Sequence, residues 1–230
     1  ARAMFSLMEA EKSLTHLDNP RLSGLVHRTK GHIYGAECLF QNKLEEYQKS
    51  KEYFDKAELP IHSAYALYNI ATAYSNLRDY DNAIKYLLKS EEQFSENGYS
   101  LYQFETQIEL CYNYLQIDDF NSCANVFAQI DINANVGYSF CDYYCIAAII
   151  SAYNGNYDEV DSLIYKATQE SITSQMQLSY AQYIIDALQN NTRDALSSYI
   201  SMISEQDKSV FNAINNSLLQ SQVDLLSDQV

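Results

Sequence analysis

The stretch Ala64–Gln93, AYALYNIATAYSNLRDYDNAIKYLLKSEEQ, decides the fold. Its first half carries Leu67, Ile70, Ala71 and Tyr74, whose offsets of three, four and seven make one stripe on an α-helix. Asn76-Leu77-Arg78-Asp79 breaks that pattern. Asp79 is the expected N-cap of a second helix, because its carboxylate can accept from the free N–H groups of the next turn. The second half carries Tyr80, Ala83, Ile84, Leu87 and Leu88, again on one stripe. Two apolar stripes joined by a short turn make a helical hairpin.

Small residues, Ala71 and Ala83, stand where the two helices approach, flanked by Leu67, Tyr74, Tyr80 and Leu87. This arrangement resembles the tetratricopeptide repeat (TPR), whose period is about 34 residues. Leu67 replaces the family's tryptophan, Ala71 its glycine and Ser90 its closing alanine, and the closing proline is missing. The resemblance implies an all-α fold, a right-handed superhelical solenoid of antiparallel hairpins.

Working outward, Ala3–Leu17 reads as a helix ended by Asp18-Asn19-Pro20. Leu22–Gln41 and Leu44–Leu59 form a hairpin, with Tyr47, Ser50, Phe54 and Ala57 in pattern and a connection one residue longer than at Asn76–Asp79. Pro60 punctuates before Ile61–Asn76, and Asn97-Gly98 supplies a stop. Leu101–Ile117 with Asp119–Ile130 repeats Tyr74, Tyr80, Ala83 and Leu87 as Tyr114, Phe120, Cys123 and Phe127. That offset of 40 predicts six extra residues in the loop between hairpins. A loop at Asp131–Gly137 leads to Phe140–Tyr153 and Tyr157–Glu170, which turn at Asn154-Gly155-Asn156. Met176–Leu188 and Arg193–Ile203 come next, with Thr192 as the expected cap. Residues 1–205 are therefore expected to hold about five hairpins, and 206–230 one long capping or connecting helix with Val210, Phe211, Ile214, Leu218, Leu219, Val223, Leu225 and Leu226 on its apolar side.

Composition bounds the chemistry. Six Gly and two Pro in 230 residues suit helices better than strands and turns. A net charge of −15 opposes direct contact with a phosphate backbone, so nucleic acid is not an expected partner. The sequence has no stretch of 18 apolar residues without charge, and membrane contact is not expected of this segment. Its N-terminus reads as beginning inside a helix, as an excised or mature fragment would. The five cysteines are odd in number, against a disulfide scaffold. Cys111 and Cys123 stand at small-residue positions, and Cys141 and Cys145 share a helical face as small apolar residues. His27, His32 and Cys38 spread around a helix instead of converging on a metal. No phosphate loop, G-x-S-x-G or H-E-x-x-H is present, so neither catalysis nor a cofactor is expected.

Binding is the expected activity. In a TPR array the first helices of the hairpins line a concave groove. That face here carries Tyr65, Tyr68, Asn69 and Thr72, then Glu105, Ile108, Glu109 and Tyr112, then Asp142 and Cys145. These positions carry no Lys or Arg. Glu105, Glu109 and Asp142 suit a Lys- or Arg-bearing segment, on which the tyrosines can stack. The chain is further similar to bacterial TPR arrays placed before a membrane helix and an output module. That resemblance implies a protein- or peptide-binding sensor domain, either cytoplasmic or the extracytoplasmic part of a membrane-anchored protein. The alternative is a homo-oligomerisation module working through the hairpins or the last helix.

Overall fold

The computed structural model describes residues 2–14, 17–132, 140–170 and 175–227, and these are helical apart from short links. The helices are α1 (Arg2–Leu14), α2 (Pro20–Ala36), α3 (Phe40–Lys56), α4 (Pro60–Asn76), α5 (Tyr80–Glu96), α6 (Ser100–Gln116), α7 (Phe120–Phe127), α8 (Cys141–Tyr153), α9 (Tyr157–Glu170), α10 (Gln175–Leu188) and α11 (Thr192–Ser227). The fold is all-α, a succession of antiparallel helical hairpins led by α1. Most of the expected loop at Asp131–Gly137 lies outside the described residues. None of the described helices is long and apolar enough to cross a membrane.

The repeat is longer and more regular than apolar spacing alone suggests. Each helix from α2 to α6 has 17 residues, and each is followed by a three-residue link. One helix with its link therefore spans 20 residues and one hairpin spans 40. The six extra residues expected in an inter-hairpin loop are instead absorbed into longer helices. Nor is the link between α2 and α3 a residue longer than that between α4 and α5. It is the same link, one hairpin earlier.

What fixes that link is a helix ending in the left-handed backbone region. Cys38, Glu58, Arg78, Gly98, Asp118, Gly155 and Asn190 all have φ between 53° and 76°. Beyond each, the next N–H reaches back five residues to a carbonyl near the helix end: Leu39 to Tyr34, Leu59 to Phe54, Asp79 to Tyr74, Tyr99 to Phe94, Asp119 to Tyr114, Asn156 to Ser151 and Asn191 to Asp186, at 2.9 to 3.1 Å. This is the Schellman closure, which satisfies carbonyls that a helix end leaves bare. Glycine takes that φ without a Cβ penalty at 98 and 155. The starts are also set locally. Asp79 and Asp119 accept from the N–H groups of Asn82 and Ser122 at 3.2 and 3.0 Å. Asn19 accepts from Leu22 at 3.1 Å, with Pro20 as the first helical residue. Pro20 and Pro60 thus open helices, where a missing N–H costs nothing.

The chain divides into two compact units, Ala1–Thr106 with Val210–Val230, and Gln107–Ser209. In the first, α2 packs on α1 and α3, and α4 on α3 and α5. Leu44, Tyr47, Ile70 and Ala73 form a buried cluster against which Tyr74 and Tyr86 pack. Gly31 stands 40 residues before Ala71, and a Cβ added to it would lie 2.4 Å from the Tyr47 ring. Ser90, at the family's alanine position, donates to the carbonyl of Ala64 at 2.9 Å, and Ser50 repeats this with Gly24. In the second unit, α8 packs on α7, α9 and α10 around Cys145, Ile146, Ile149, Val160, Ala167, Ala181 and Ile185, all buried.

Two further expectations are corrected. Arg193–Ile203 and the start of the 206–230 segment are one continuous helix, α11, which begins at Thr192 instead of being capped by it. Of the apolar residues expected along its second half, Val210 is exposed, and the side chains of Phe211, Ile214, Leu218, Leu219, Val223, Leu225 and Leu226 lie outside the described set. Leu88 is exposed too, because it follows Leu87 by one residue, about 100° of helix rotation, and so leaves the stripe that buries Ala83 and Leu87.

Candidate binding faces on the first helices

The expected groove residues fall in both units, so each unit is taken alone. In the first, helical spacing on α4 puts Tyr65, Tyr68, Asn69 and Thr72 on one side. The Tyr65 ring stacks on Tyr68 at 5.7 Å and meets Tyr102 edge-on at 5.4 Å. Burial, then Glu105 and Tyr102, push the Tyr65 phenol above its usual pKa, while Arg28 pulls it down. Thr72 is half-buried and its hydroxyl is committed to the carbonyl of Asn69 at 2.9 Å. Asn69 itself is buried, and its Nδ2 makes no hydrogen bond among the described residues.

In the second unit, the Tyr112 hydroxyl donates to Asp142 at 2.9 Å, joining α6 to α8. Its ring lies 6.2 Å from that of Tyr180. Burial first, and then the Asp142 carboxylate, raise the Tyr112 phenol well above its usual range. Burial likewise raises Asp142, although the bond from Tyr112 opposes this. A half-buried carboxylate held this way is stabilised by any cation that reaches it. Glu109 is half-buried and its carbonyl accepts from Asn113 at 2.8 Å. Ile108 is buried.

Cys145 is corrected: it is fully buried and does not line a groove. A hydrogen bond with Cys141, then burial, raise its thiol. Cys111 is equally buried, its Sγ 3.6 Å from the carbonyl of Cys123. Both pairs behave as small core residues. His27 is held by Glu46, Nδ1 to Oε2 2.7 Å, and stacked on Tyr53.

Apolar spacing alone does not find Arg21, Arg28 and His32. The offset of 40 that relates Gly31 to Ala71 places them level with Ile61, Tyr68 and Thr72 of α4. The signal that sets this register is an aromatic residue every twenty positions, at Tyr34, Phe54, Tyr74, Phe94 and Tyr114.

No family model matches the chain. Among solved structures, the apo form of RapI superposes with a TM-score of 0.70 at 12% identity, covering 86% of this chain and 75% of that one. A Rap protein complexed with competence and sporulation factor gives 0.67 at 11%, covering 98% of this chain and 64% of that one. BtubC from P. vanneervenii gives 0.63 at 15%, covering 94% and 90%. At such identities the likeness is one of fold, and it is a likeness to helical-repeat, TPR-like structures.

Proposed function

We propose that this chain is a non-catalytic peptide-binding scaffold, the sensor or interaction domain of a bacterial signalling protein. One observation carries the reading. The first-helix faces combine tyrosines, Tyr65 stacked on Tyr68 in one unit, with the half-buried Asp142 carboxylate beside Tyr112 in the other. Such groups gain hydrogen bonds when an extended backbone or a cationic side chain settles on them. The complex of a Rap protein with competence and sporulation factor, on a similar fold, supports a peptide as the partner class. In the second unit Glu109 and Asp142 favour a Lys or Arg at that point of the ligand.

A phage-displayed random peptide library panned on the wild-type chain tests this. Enriched peptides are expected to bind saturably and to weaken roughly tenfold on Tyr68→Ala or Glu109→Lys. Failure to enrich, or equal binding to both variants, would remove the reading.

Self-association is the second reading, favoured by the exposed Leu196, Tyr199 and Ile200 on one side of α11. Light scattering tests it: a dimer that Leu196→Glu converts to monomer would support it, and a wild-type monomer would dismiss it.

A further inference from the structure

The register of 40 extends back through α1. Pro20 and Pro60 open α2 and α4, and each follows a helix end with a positive-φ residue, Asp18 or Glu58. Helix α1 therefore stands where α3 stands, as the second helix of a hairpin. Its Leu7, Ala10, Ser13 and Leu14 match Tyr47, Ser50, Tyr53 and Phe54.

On α3 these four residues are covered by a first helix, α2. A Cβ added to Gly31 would lie 2.4 Å from the Tyr47 ring, and one added to Gly24 would lie 2.7 Å from Phe54. His27 stacks on Tyr53 at 5.2 Å, and Ser50 donates to the Gly24 carbonyl at 2.9 Å. Helix α4 covers α5 in the same way, with Ser90 donating to Ala64. Burial follows the cover. Tyr47, Ser50 and Phe54, like Leu87, Ser90 and Phe94, are at most 2% exposed. Leu7, Ala10 and Leu14 are only half-buried, and Ser13 is exposed. On α2, Val26 is half-buried and Thr29 exposed, where Ala66 and Asn69 are buried 40 residues on. Between α1 and α2 lies an open trough of about 340 Å³, floored by Leu7, Ala10, Leu14, Leu22, Leu25 and Val26. Two hydroxyls complete its lining, and both are satisfied within their own helices: Ser13 donates to the Glu9 carbonyl and Thr29 to that of Leu25. An apolar helix face can cover them without stranding a donor.

We infer that this trough is the docking site for one amphipathic α-helix of a partner polypeptide, carrying small residues seven positions apart against Leu7 and Leu14. The two filled seats set that chemistry. The helix on α3 carries Gly24 and Gly31, and the helix on α5 carries Ala64 and Ala71. Small residues two turns apart let the helix axes approach, while larger apolar neighbours fill the grooves beside them. A second copy is a poor source, because α2 and α4 are already packed on α3 and α5 and a hairpin would have to open to release one. The trough shares no residue with the faces at Tyr65–Thr72, Glu105–Tyr112 and Asp142, so it stands whether or not those bind.

The test uses the full chain and a fluorescein-labelled synthetic peptide with the α4 sequence, Pro60–Asn76, held helical by a hydrocarbon staple. Fluorescence anisotropy should show saturable binding that weakens roughly tenfold or more in Leu7→Glu. Tyr68→Ala in the chain should leave it unchanged. Because Leu7→Glu can also disturb α1, a peptide carrying Ala71→Leu is tested on the wild-type chain, and it should bind at least as poorly. Binding that does not saturate, or that is equal for the Ala71→Leu peptide, would overturn the inference. So would light scattering that finds a wild-type dimer made monomeric by Leu7→Glu, since a second copy would then fill the trough.

Discussion

Gly31 shows how one residue sets a helix pair. Ala71 and Cys111 occupy the same place in the next two hairpins, so a small side chain is enough there in general. Opposite Tyr47 it is not, because even a Cβ would meet the ring at 2.4 Å. Gly31→Ala is expected to cost about 1–3 kcal/mol through overpacking, measured by urea unfolding, whereas Ala71→Gly should cost only about 1 kcal/mol. Glu46 gives a second test at this scale. Burial raises its pKa, but hydrogen bonds from His27 and Lys49 outweigh that and hold it at about 2, against an ordinary 4.5. A carboxyl depressed in the folded state stabilises the fold above its unfolded pKa and loses that contribution as pH falls toward its folded one. Wild type should therefore exceed Glu46→Gln in stability above about pH 5, with the gap closing toward about pH 2 in thermal melts. A gap independent of pH would contradict the ion-pair account.

The elements are defined by their ends. Asp79 and Asn97-Gly98 are legible because capping and left-handed backbone have chemical preferences that a sequence displays. Cys38, Glu58 and Arg78 adopt the same left-handed turn with no such preference, held by the reach-back hydrogen bond. A reading that looks for Gly or Asn passes over them, and Leu22–Gln41 then runs through the Cys38 turn that ends α2 at Ala36. Arg78→Gly should stabilise the fold by about 0.5–1 kcal/mol by removing a Cβ from a positive-φ site, and Gly155→Ala should destabilise it by a similar amount, both measured by urea unfolding. The phase of α2 is hidden for the same reason. Without the Cys38 turn the helix cannot be placed in register.

For the whole molecule, the all-α hairpin architecture is legible because apolar spacing repeats many times in one chain, so errors at single helices do not change the answer. The candidate face is legible only in part. Tyr65, Tyr68, Tyr112 and Asp142 are half-buried side chains, whereas Asn69, Ile108 and Cys145 are buried, which spacing on one helix does not reveal. Charge acts at this scale as well. With −15 spread over 230 residues, self-repulsion opposes compactness, and Tm should rise between about 10 and 150 mM NaCl as the screening length falls to about 8 Å. The central claim is that ligands bind to the first-helix faces. Hydrogen exchange by mass spectrometry on the full chain, with and without a library-selected peptide, tests it most directly. The account predicts new protection confined to peptides containing Tyr65–Thr72, Glu105–Tyr112 or Asp142. Protection confined to the second helices α5 and α9, or to none, would contradict it.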